Sequence, residues 1–79
     1  MSRSIEDAIF ALLAEREPGK SISPNEAAQA VDAEAWPRLM PQVRATAIGL
    51  ARQGRIVLTR KGRPADPDEL KGVYRLRLP

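Results

Sequence analysis

Apolar positions recur at three- and four-residue intervals through the first two thirds of the chain. After Gly54 the period changes to two in two short runs, "RIVLTR" and "VYRLRL", joined by a polar segment of about a dozen residues. The first period belongs to helices lying on a core and the second to strands with one face buried, so the pattern predicts helices followed by a hairpin.

The first helix is expected from about Ile5 to Arg16. Ser4 is placed to cap it, Asp7 follows three residues later, and Glu6 suits the positive end of the helix. Ile5, Ala8, Ile9, Leu12 and Leu13 form one stripe, with Phe10 on its flank, and Pro18–Gly19 oppose continuation. The strongest local signal is "SISPNEAAQAV". Ser23 is a cap, Pro24 takes the first helical position, Glu26 sits where a capping-box carboxylate belongs, and Ile22 can staple against Ala27. A short helix from Pro24 to about Val31 would bury Ala27, Ala28 and Val31, and Ile22 is also placed for a very short strand.

Asp32 can cap a further turn, and Trp36 is expected as an aromatic core anchor. Pro37 and Pro41 each suit only a first helical turn, so the third helix starts between them and runs to Gln53, with Gly54 as its stop. At about 100° per residue, Met40, Val43, Ala47, Leu50 and Ala51 share the core face. Gln42, Ala45, Thr46, Gly49, Arg52 and Gln53 lie opposite, with Arg44 and Ile48 at the boundary. Gly49 costs about 1 kcal/mol relative to alanine in a helix interior, and a packing contact is its expected explanation.

In "RIVLTR", Ile56 and Leu58 share a face. In "VYRLRL", Tyr74, Leu76 and Leu78 share one while Arg75 and Arg77 face the other way. These strands are expected to pair antiparallel through a long polar tip, closing the core against Leu12, Val43 and Leu50.

The 79 residues suffice for one domain, spanning 1–79. The chain contains no cysteine and no histidine, which removes thiolate ligands, disulfides and the commonest general base and metal ligand. No apolar run approaches the roughly 20 residues of a membrane span, and acids interrupt the start of the chain, so a cytoplasmic bacterial protein without a membrane association is expected.

Charge changes the picture more. Residues 1–40 carry four bases and seven acids, whereas residues 41–79 carry nine bases and only Asp66, Asp68 and Glu69 as acids. The overall +3 therefore conceals a C-terminal half at +6, an asymmetry suited to a polyanionic partner. The composition also has a plainer source, since ten arginines and twelve alanines fit a GC-rich genome.

Chemical motifs are sparse. "GKS" at Gly19–Ser21 lacks the glycine a phosphate loop needs five positions earlier, where Ala14 stands inside a helix. "DPDE" reads as a polar turn, and serine catalysis has no histidine partner. No enzyme activity, metal or cofactor is expected.

Three stretches carry a resemblance: Ser23–Glu26 opening the second helix, "LARQGRI" joining helix to strand, and the closing "YRLRL". In this order the chain resembles a winged helix-turn-helix, an α+β fold of three main helices followed by a two-stranded antiparallel wing. "EPGKSI", "PNEAA", "WPRLMPQVR" and "GRI" followed by "KGRPADP" are also similar to segments of a small bacterial winged-helix family of unknown function.

The winged-helix resemblance implies double-stranded DNA as partner. The helix at about 41–53 would enter the major groove and a basic wing at about 60–72 would approach the backbone. Arg38, Gln42, Arg44 and Thr46 are then the helix-side candidates, and Arg60, Lys61 and Arg63 the wing-side ones, each base pairing with phosphate. Against sequence-specific binding, the exposed helix face is small and neutral, and the acids at 66–69 share the expected wing tip. Arg75 and Arg77 have the plainer role of keeping a strand face soluble. The alternative is a protein-interaction module on the same scaffold, docking through Ala45 and Gly49 or through the first helix.

Overall fold

The structure, a computed structural model, describes residues 4–79. Three helices and a four-stranded antiparallel sheet make an α+β domain. Helix α1 spans Ile5–Ala14 behind a Ser4 cap whose hydroxyl accepts from the Asp7 amide. It stops two residues short of the expected end because Glu15 and Arg16 bond back only three residues, to Leu12 and Leu13, tightening the last turn ahead of Pro18.

Strand β1 is Ser21–Ile22, and α2 is Pro24–Val31. The capping box forms in full, with the Glu26 amide donating to Ser23 Oγ and the Ser23 amide to Glu26 Oε2. Asp32 ends α2 and turns the chain by accepting the amides of Ala35 and, to a lesser effect, Glu34, which hold its carboxyl below the usual range. Trp36–Leu39 form a 3₁₀ helix leading directly into α3, Met40–Arg52. Both prolines are thereby used at the start of a helical segment, and Trp36 packs half-buried against the core rather than inside it. Gly54, at φ +75°, stops α3: its amide bonds to Ala51 and that of Arg55 reaches back to Leu50, the double closure that a left-handed residue permits.

The C-terminal region corrects the expectation of one two-stranded hairpin. Strand β2, Val57–Arg60, turns tightly through Lys61 and Gly62, both at positive φ, into the short strand β3, Arg63–Pro64. Mirror-image turns of this kind match strand twist. A 3₁₀ turn at Pro67–Glu69 follows, then β4, Arg75–Arg77. The sheet order is β1-β4-β2-β3, so β4 lies between β1 and β2, with Leu58, Leu76 and Ile22 in one row.

That row points into the core, where it meets Ile9 and Leu13 of α1, Ala27 and Ala28 of α2, and Val43, Ala47 and Leu50 of α3. Ile56, Leu70 and Tyr74 complete it. Leu78, expected inside, is 43 % exposed because β1 ends opposite Arg77 and offers nothing further to cover it. No helix among the described residues is long and apolar enough to cross a membrane.

Candidate functional site

Arg60, Lys61 and Arg63 converge at the end of the sheet. Arg60 and Arg63 are register partners across the tight turn and Lys61 occupies the turn itself. All three are exposed, and none forms an ion pair within the described residues, in which Arg16–Glu26, Arg52–Asp68 and Arg55–Glu6 are the pairs. Arg60 is oriented by donation from Nε to the Val73 carbonyl at 3.3 Å.

The acids expected to share this tip are elsewhere. Ala65 bonds back to Leu58, so the chain has already retreated along the sheet before Asp66. Asp66 caps the 3₁₀ turn by accepting the Asp68 amide, and Asp68 pairs with Arg52 on α3. The bases at the sheet end are thus not paired with Asp66 or Asp68.

The helix-side candidates divide. Arg38 is exposed in the 3₁₀ helix and Gln42 in the first turn of α3, while Thr46, one turn on, is half-buried. Arg44 is turned inward: its guanidinium donates to the Leu70 carbonyl and lies over the Tyr74 ring, 6.0 Å from the centroid. With Arg52 held by Asp68, the α3 face left open is Gln42, Ala45 and Gln53, with the half-buried Thr46 and Gly49 at its edge. It carries no charge. A methyl group built on Gly49 meets nothing within 4 Å, so no packing contact within the domain requires that glycine.

Sequence reasoning missed an open cleft of about 310 Å³ between the hairpin and the starts of α2 and α3. Ser23, Pro24 and Asn25, Met40, and Gly72 to Arg75 line it. Arg75 is fixed there by donating to the hydroxyl of Ser21 at 2.7 Å and to its carbonyl at 3.3 Å. Tyr74 is buried with no partner for its hydroxyl among the described residues, and burial raises its pKa against a smaller opposing effect of Arg44. At the rim, Val73 is 85 % exposed. Alternation in "VYRLRL" already set Val73 apart from Tyr74, Leu76 and Leu78; that was the available signal.

The geometry can accept an anion along the sheet end. Comparison with curated proteins finds no match. The family described as "Protein of unknown function (DUF3253)" matches residues 2–79, and the chain belongs to that family.

Proposed function

We propose that this chain is a winged helix-turn-helix domain that binds nucleic acid, duplex DNA in the first place, chiefly through phosphate contacts. The order of helices and strands supports the fold reading, with the β2–β3 turn and the segment leading to β4 as the wing. The observation that carries the binding reading is the sheet end itself. Arg60, Lys61 and Arg63 are gathered there outside the ion pairs of the described residues, while Asp68 is paired with Arg52 of α3. Arg38 and Gln42 extend the contact from the α3 side.

The neutral face of α3 gives this mode its character. Base edges are read by forked donors and amides, and this face offers one exposed glutamine at the helix start and another at its end. Affinity then comes from counterion release, with little sequence preference. The alternative, a protein-docking module, is favoured by the small neutral face around Ala45 and Gly49. Unpaired bases at the sheet end have no role in that alternative, which is why nucleic acid is the leading reading.

Titration of a labelled duplex at low salt is the test. Binding at micromolar protein that weakens steeply with salt is expected, and Arg60→Ala with Arg63→Ala should reduce the slope of log K against log salt by roughly 2. No binding at ~10 µM protein and low salt would refute the proposal. Gly49→Lys separates the two readings, since it should abolish a close protein contact and preserve or strengthen a phosphate-driven one.

A further inference from the structure

A single exposed valine on a protein surface ordinarily needs no explanation. Val73 differs in its surroundings. It is 85 % exposed, and its carbonyl holds the Arg60 guanidinium. The β2–β4 pairing ends at Thr59 and Arg75; two residues beyond each in the chain stand Lys61 and Val73. Lys71 lies two residues before it and Arg75 two residues after, both exposed and outside the ion pairs of the described residues. An apolar side chain thus stands beside the Arg60 guanidinium, in a segment whose near neighbours in sequence include the exposed Lys71; Arg75 is turned onto Ser21. Met40 and Tyr74 line the same cleft as Val73.

We propose that Val73 is the apolar groove contact of the nucleic-acid interface: it packs against sugars and base edges while the basic side chains of the sheet end hold the flanking phosphates. This rests on the reading given under Proposed function and adds what enters the groove. Charge complementarity selects the occupant. An aliphatic group beside Arg60, at the same sheet end as the exposed Lys61 and Arg63, matches a surface in which anionic backbones flank a less polar groove wall, and apolar side chains inserted at a groove are an established way to gain contact there. Gly72, at φ +68°, lets the chain turn so that Val73 stands out beside it.

The experiment compares wild type, Val73→Ser and Val73→Leu for binding to a labelled duplex across a salt series, with anionic phospholipid vesicles as a second probe. Both substitutions fall at an exposed position, so thermal melting should stay at the wild-type value. Val73→Ser should bind roughly ten-fold more weakly with an unchanged salt slope, because an apolar contact is lost and no phosphate contact is. Val73→Leu should bind at least as tightly as wild type. If Val73→Ser binds like wild type, or weakens only through a shallower salt slope, the groove contact is refuted and DNA binding stands. Wild type that ignores duplex and binds the vesicles overturns both.

Discussion

Arg52 Nε on α3 lies 2.9 Å from Asp68 Oδ1 on the 3₁₀ turn. That pair draws an acid away from the sheet end and removes the only basic side chain from the exposed face of α3. Both partners are well over half exposed, so the pair adds little to stability, about 0–1 kcal/mol.

Asp68→Asn should therefore leave the melting temperature nearly unchanged. It should also strengthen binding to duplex DNA and steepen its salt dependence, because one repelling charge is gone and Arg52 is free. Anisotropy titrations of both proteins at two or more salt concentrations measure this; unchanged or weaker binding would argue against an interface that includes α3.

Arg44 gives the opposite expectation. Its guanidinium ties α3 to the Leu70 carbonyl and covers Tyr74. Arg44→Ala should destabilise the fold by about 1.5–3 kcal/mol, the range for a hydrogen bond from a charged donor, read by urea unfolding. The salt slope of DNA binding should remain as in wild type. A lower slope with unchanged stability would make Arg44 a phosphate contact instead.

Gly49 lies inside α3 with open space where a methyl group would stand. Gly49→Ala should stabilise the domain by about 1 kcal/mol through helix propensity, a rise of about 4–8 °C in Tm for a domain of this size. A fall would reveal crowding at that position.

Tyr74 predicts an alkaline limit. Burial raises its pKa above the ordinary tyrosine value, so the unfolded state loses the phenolic proton first. The contribution is fully present below about pH 10 and disappears as pH rises through the folded-state pKa. Stability of the wild type should fall more steeply above pH 10 than that of Tyr74→Phe. The variant should be at least as stable at neutral pH, since no protein group among those described accepts or donates to the hydroxyl. Parallel denaturant melts across the alkaline range decide it.

The proposed interface was only partly legible. Arg60, Lys61 and Arg63 are adjacent in sequence, and the structure keeps them together. Arg44 and Arg52 read as surface bases on a helix, yet each is taken up by a segment lying 16–26 residues further along. The Lys61–Gly62 turn was hidden because lysine is an unusual first residue for a mirror-image turn, where asparagine, aspartate or glycine is the common signal. Without that turn, residues 61–72 looked like one long tip, and the acids seemed to cancel the bases.

What the sequence determined by itself is everything governed by near neighbours: the capped starts of α1 and α2, the glycine stop of α3, and the change from helical to alternating spacing after it. Capping groups and repeat spacing act over three or four residues, so they can be read without a partner. Tertiary structure alone decided that β4 lies between β1 and β2, that Asp68 belongs to α3, and that Leu78 is uncovered while Leu70 is buried. Each depends on pairing between residues distant in the chain, whose free energy exists only once both surfaces have been brought together and water has been excluded from between them.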